Sequence, residues 1–158
     1  AAAAATATAR RVPRLLCDGL AHHTRQPEQQ LNGLGDTPRF KGISGALLVG
    51  HDAAGGIFAI DGGGLGIHPG QVCYLAPDSL NWEGLDIGHN AWVRWSLSGD
   101  LNAFYGSLRW ASWKQELAQV GRDEVVAFYP FLWTKEGELE TASRKTVPLI
   151  EHLAMRLK

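Results

Sequence analysis

Three short apolar runs, at residues 45–49, 56–60 and 71–75, follow one another closely, the first two closed by glycine-bearing turns and the third by a proline-bearing one. Each is too short for an independent helix and of the right length for a strand. The stretch His51-Asp52-Ala53-Ala54-Gly55 has hairpin length, so the first two runs are expected to pair antiparallel. A glycine-rich loop, residues 61–70, leads to the third run. Ala76-Pro77-Asp78 ends it, and the alternation in residues 81–85 predicts a fourth strand. Short connections of this kind make a meander the natural topology.

The hydrophobic period then changes. Trp92, Trp95 and Leu97 predict a short helix with Asn90 as its cap, and Asp100 can cap a second. Leu101, Phe104, Tyr105 and Leu108 recur at i, i+3, i+4 and i+7, which places them on one helical face packed on the sheet. Trp110, Trp113, Leu117 and Val120 continue that spacing up to Gly121. Residues 125–133 form an apolar, strand-like run broken by Pro130, which assigns it to an edge or a bulge. Pro148 can open a terminal helix with Leu149, Ile150, Leu153 and Leu157 facing inward. Residues 13–42 read as irregular, with one short strand at Leu15-Leu16-Cys17. The expected fold is therefore α+β: a central, mostly antiparallel meander packed against a single layer of helices.

At 158 residues there is room for one domain and one sizeable core. Residues 1–9 are alanine broken only by Thr6 and Thr8; they are read as a placeholder for an N-terminal helix, and residues 10–158 as a single domain. With 45% hydrophobic and 20% charged residues the composition is that of a globular protein. The longest apolar runs are too short to span a bilayer, and no signal peptide is evident, so no membrane association is expected. Cys17 and Cys73 are expected to stay reduced in a cytoplasmic setting.

Net charge is −1 but unevenly spread. Residues 1–44 carry six basic and three acidic side chains. Residues 45–110 carry only Arg94 and Arg109 against Asp52, Asp61, Asp78, Glu83, Asp86 and Asp100. That distribution argues against nucleic acid, which requires a basic stripe, and fits a cationic partner.

Catalytic motifs are missing. The glycines at 62, 63, 64 and 66 run into His68-Pro69-Gly70, another turn, instead of the helix that a dinucleotide or phosphate site needs. They predict a solvent-exposed hairpin loop around Asp61 and no nucleotide cofactor. The six histidines lack metal-ligand spacing, so no metal is expected. Ser44 and Ser98 lack a nucleophile elbow, and Cys73 has no basic neighbour in sequence. Asp78, Glu83, Asp86 and His89 are close enough in sequence to leave acid–base chemistry open. Of six tryptophans, five fall between Trp82 and Trp113, and the residue type is favoured in both cores and binding surfaces. The candidate binding residues are Asp78, Trp82, Glu83, Asp86 and Trp92.

The stretches Gly55-Gly56-Ile57-Phe58-Ala59-Ile60-Asp61, Val72-Cys73-Tyr74-Leu75-Ala76-Pro77-Asp78, Leu108-Arg109-Trp110 and Tyr129-Pro130-Phe131-Leu132-Trp133-Thr134 resemble the bacterial DUF2625 family, a domain of unknown function. The likeness covers about residues 45–150 and implies a longer N-terminal helical part. It implies no activity. The order of strand, strand ending in Asp, strand, acidic turn and helix bearing Phe104-Tyr105 is also similar to the SUKH superfamily of immunity-type proteins. That similarity implies a non-catalytic scaffold that binds a protein partner, and a homo-oligomer is compatible with it.

Overall fold

The computed structural model describes residues 21–22, by their backbone, and residues 43–157. The strand expected at residues 15–17, Cys17, and the helix expected at residues 1–9 lie outside the described residues. Five strands form one antiparallel sheet in sequential order: β1 (Ala21–His22), β2 (Ala46–Asp52), β3 (Ile57–Asp61), β4 (Val72–Leu75) and β5 (Glu83–Gly84). This is the expected meander. Its register pairs Leu48 with Ala59 and Gly50 with Phe58, so β2 carries a bulge at Val49 that shifts its alternation.

Helices α1 (His89–Ser98) and α2 (Leu101–Tyr105) follow, then a 3-10 turn (Gly106–Leu108) and α3 (Trp113–Leu117). A second, two-stranded antiparallel sheet joins β6 (Glu124–Tyr129) to β7 (Ser143–Pro148), and α4 (Leu149–Arg156) closes the chain. Strand β6 stops before Pro130, whose ring cannot donate to the ladder. Strand β7, Ser143-Arg144-Lys145-Thr146-Val147-Pro148, was not visible as a strand in the sequence, because its side chains are mostly exposed and carry little hydrophobic alternation.

The two faces of the central sheet separate cleanly. Phe58, Val72 and Tyr74 point into one cluster with Trp92, Tyr105, Leu108, Trp110 and Phe128. Ile57, Ala59 and Leu75 point to the other, with Leu149 and Leu153 of α4. Strand alternation thus feeds two cores at once. The expected single layer of helices is corrected: α1–α3 contribute to one core and α4 to the other. A strand buried on both faces needs another element packed on each.

Other local differences have simple causes. Helix α1 starts at His89 behind Gly88, which makes no side-chain cap, so Asn90 lies inside the helix instead of capping it. Asp100 does cap α2, accepting from the Ala103 amide at 3.0 Å. Phe104 is half-buried and packs its ring against Tyr74 at 5.2 Å and Phe58 at 6.3 Å, which brings the α2 face onto the sheet as expected. The helix predicted from Trp110 begins only at Trp113. On α4, Leu149, Leu153 and Leu157 are buried, but Ile150 is 42% exposed and does not face inward. Ala154, His152 and Arg156 are buried as well, and apolar periodicity could not reveal the two polar ones.

Candidate functional site

Two of the acidic residues counted in the sequence are not on the surface. Asp52 ends β2 fully buried. Its carboxylate accepts from the amides of Ala54 at 3.0 Å and Gly56 at 2.8 Å, and from the Tyr74 hydroxyl at 2.6 Å. Burial pushes its pKa up, against the Tyr74 and amide donors and the nearby His51. Gly56 is required here, because a Cβ would collide with the Asp52 carboxylate and the Tyr74 hydroxyl.

Asp61 is 1% exposed, which corrects its expected exposure, whereas Gly62, Gly63, Gly64 and Gly66 of the loop are exposed as expected. Its carboxylate accepts from the amides of Gly63 at 2.7 Å, Leu65 at 3.1 Å, and Ile67 and His68, each at 3.0 Å. Burial would raise its pKa, but these four donors hold the carboxyl below the usual carboxylate range. The glycines let the backbone wrap an internal anion: a Cβ at Gly64 would strike Ser44 and Gly45. The amide donors that a phosphate would use are already engaged by Asp61.

A polar cluster joins α4 to the turns of the central sheet. The Arg156 guanidinium donates to the Gly55 carbonyl at 3.0 Å and to the carbonyls of Ala76 and Ser79. It lies 5.5 Å from the Trp133 ring. Burial pulls its pKa down to about 10, while Asp52, Tyr74 and Asp78 work in the opposite direction. His152 is 2% exposed, sits edge-on to Trp133 at 6.0 Å, and has no hydrogen-bond partner on either ring nitrogen. Gly55, with φ of 90°, admits the imidazole, since a Cβ there would meet Nε2. Burial, with Arg156 adding to it, lowers the His152 pKa to about 4.

This has a measurable consequence. A histidine depressed from 6.5 to about 4 binds its proton more readily in the unfolded chain. Its contribution is therefore complete above pH 6.5 and is lost as pH falls towards 4, to the extent of about 3 kcal/mol. Asp52, with its raised pKa, acts with the opposite sign and offsets part of that loss. Urea unfolding followed from pH 7 to pH 4.5 should show the decline, and His152→Leu should flatten it. An unchanged pH slope in that variant would remove His152 from the account.

Of the residues proposed from sequence, Asp78, Glu83 and Asp86 are exposed and Trp82 is half-buried, packed against the second core. Trp92 is fully buried and is corrected from a candidate binding residue to a core residue. Its ring is tilted against Phe58 at 5.3 Å and stacks with His89 at 5.7 Å. No hydrogen bond joins any two of Asp78, Glu83, Asp86 and His89 among the described residues. The buried group of Asp52, Tyr74, His152 and Arg156 was missed in the sequence, although the Gly55-Gly56 pair beside Asp52 marked a crowded turn.

The loop after β4 is held from both sides. Arg156 fixes the carbonyls of Ala76 and Ser79 from within, and the Ser79 hydroxyl accepts from the Asn81 amide at 3.0 Å. Leu80 stands 57% exposed at its tip. A cleft of about 150 Å³ is lined by Glu116, Gln119, Val126, Arg144, Lys145 and Thr146. Its arginine is engaged, with Nε 3.0 Å from Glu116 and Nη1 donating to the carbonyls of Leu139 and Ala142. Among the described residues, no His, Cys, Asp and Glu side chains gather in a group that could hold a metal ion, and no helix is long and apolar enough to cross a membrane.

These features define an α+β domain built on an antiparallel meander, with Asp52 and Asp61 engaged internally and Asp78, Glu83 and Asp86 exposed. The chain belongs to the family described as Protein of unknown function DUF2625, which matches over residues 12–152. It is 42% identical to the uncharacterized protein YbfG of Escherichia coli (strain K12) over 129 residues, covering 82% of this chain and 58% of that protein. It is 35% identical to an uncharacterized protein of Haemophilus influenzae over 98 residues, covering 62% of this chain and 40% of that protein. The chain thus spans about half the length of these relatives. No solved structure matches it, and the similarity to SUKH proteins gains no support from these comparisons.

Proposed function

We propose that this domain is a non-catalytic binding module that recognises a cationic protein partner through Leu80 and Trp82 set among Asp78, Glu83 and Asp86. The observation that carries this reading is an exposed Leu80 and Asp78 on a loop clamped by a buried arginine, followed directly by the exposed Glu83 of β5 and Asp86 just beyond it. A loop ordered before binding loses less entropy on association, so its contacts translate more fully into affinity. The apolar residues would supply most of the affinity, and the acids would add rate and selectivity. Trp92 has no place in this surface. Acid–base catalysis by Asp78, Glu83, Asp86 and His89 is less well supported, since all four are exposed and none hydrogen-bonds another.

Glu83→Lys combined with Asp86→Asn tests the reading without disturbing Arg156. Asp86 has φ of 55°, a conformation that asparagine tolerates. With a partner recovered by affinity capture, stopped-flow association should slow on the order of tenfold in the double variant at low salt. The difference should shrink at high salt, where the Debye length falls to about 3 Å at 1 M. Equal association rates for parent and variant at both salt concentrations would reduce the acidic face to a solvated rim.

A further inference from the structure

Arg109 leaves the 3-10 turn with its guanidinium 4.4 Å above the Trp113 ring, and its Nη1 donates to the Asn102 side-chain oxygen. Those two contacts hold the plane of the group. Its Nε and Nη2 atoms are buried and have no hydrogen-bond partner. These two nitrogens form one edge of the guanidinium, and their N–H bonds run parallel, which is the geometry that grips two oxygens of one acid group. An arginine normally occupies such an edge, because leaving charge-bearing donors buried and unpaired is costly.

A second orphan lies four residues earlier, at the end of α2. The Tyr105 hydroxyl is buried, its residue is 0% exposed, and it too has no hydrogen-bond partner. Burial holds this hydroxyl well above the usual tyrosine range, with the Asp52 charge adding to that and the Arg109 charge opposing it. Arg109 and Trp113 are half-buried and Asn102 is exposed, so the group lies towards the periphery of the domain. Arg156 and Arg144 are placed differently: Arg156 gives both Nη atoms to three carbonyls and leaves only Nε without a hydrogen-bond partner, and Arg144 has Glu116.

The geometry points to a carboxylate-binding site in which the Nε–Nη2 edge of Arg109 takes both oxygens of a carboxylate and the Tyr105 hydroxyl donates to one of them. A flat, two-oxygen anion matches the flat edge, and Trp113 and Asn102 act as positioning residues that keep the edge oriented. The site is built on α2, the 3-10 turn and α3, apart from the acidic loop that follows β4, and does not depend on the function proposed for that loop.

Sodium acetate is the probe, titrated into the isotopically labelled protein with sodium chloride at matched ionic strength as reference. The Arg109 Nε–H resonance should shift saturably with acetate and not with chloride. Arg109→Lys keeps the charge above Trp113 but loses the paired edge, and should weaken acetate binding about tenfold or more, read at the Trp113 indole resonance. Tyr105→Phe should weaken it by a smaller factor. A linear, chloride-like response in the parent would overturn the assignment, as would undiminished saturation in Arg109→Lys. Saturation by inorganic phosphate without saturation by acetate would overturn the carboxylate class. Should Arg109→Lys fail to fold, the parent titrations against chloride and phosphate still decide the matter.

Discussion

Replacing Phe58 by alanine should destabilise this domain by about 3–5 kcal/mol, the cost of emptying a fully packed aromatic site. Phe58 is 0% exposed and stands where the central sheet meets its helices. Its ring stacks on Tyr74 at 4.5 Å, lies 5.3 Å from Trp92 of α1 and reaches Phe104 of α2 at 6.3 Å. Deleting it removes apolar area from water-free surroundings and leaves a hole lined by stiff rings that cannot collapse into it. Phe104, half-buried and at the edge of the same group, should cost less when truncated. Urea denaturation of both variants supplies the comparison. A Phe58→Ala midpoint corresponding to less than about 1 kcal/mol would mean that the helices are not anchored through this ring.

Asp52→Ala is expected to be as damaging, for a different reason. The substitution strands the amides of Ala54 and Gly56 and the hydroxyl of Tyr74, all donors to one buried carboxylate. Each unsatisfied buried donor costs about 1–3 kcal/mol, and breaking a buried charged network costs about 3–5 kcal/mol as a whole. Asp52→Asn keeps one acceptor oxygen and nearly the same shape, so its cost should be markedly smaller. The two can be separated by chemical denaturation together with hydrogen exchange at the Ala54 and Gly56 amides. Protection there should fall sharply in the alanine variant and persist in the asparagine variant. If both variants unfolded at the parent midpoint, the turn would have to be held by its backbone bonds and packing alone.

The Asp52 cluster also connects stability to the proposed binding loop. Arg156 feels the charges of Asp52 and Asp78 and holds the carbonyls of Ala76 and Ser79, so one buried side chain links the β2–β3 turn to the segment carrying Leu80. The loop is thereby ordered from within the fold.

Much of the architecture was legible in the chain. Hairpin spacing, strand-length apolar runs and the change of period near Trp92 depend on local sequence, because side-chain direction alternates every two residues in a strand and recurs every 3.6 in a helix. Those patterns placed β2 to β4, α1, α2 and α4, as well as the Asp100 cap and the packing of the α2 face. Boundaries shifted where a cap or turn was settled by contacts, as at Gly88 and Trp113. Strand β7 stayed hidden because its mostly exposed residues owe their conformation to pairing with β6, from Glu124 opposite Pro148 to Tyr129 opposite Ser143.

What the sequence by itself determined was an antiparallel α+β domain, its family, and an excess of acids over bases between residues 45 and 110. Only the tertiary structure decided which of those acids face water. Asp52 and Asp61 read in sequence like Asp78 and Asp86, yet the first pair is buried among its own donors and the second stays exposed. The same holds for Trp92 against Trp82, and for Arg109 with its unpaired edge against Arg144 with its carboxylate. Charge and residue type are properties of a single position. Burial and partnership belong to groups brought together from distant parts of the chain, and for a polar side chain these decide whether it supports the fold or remains free to bind something else.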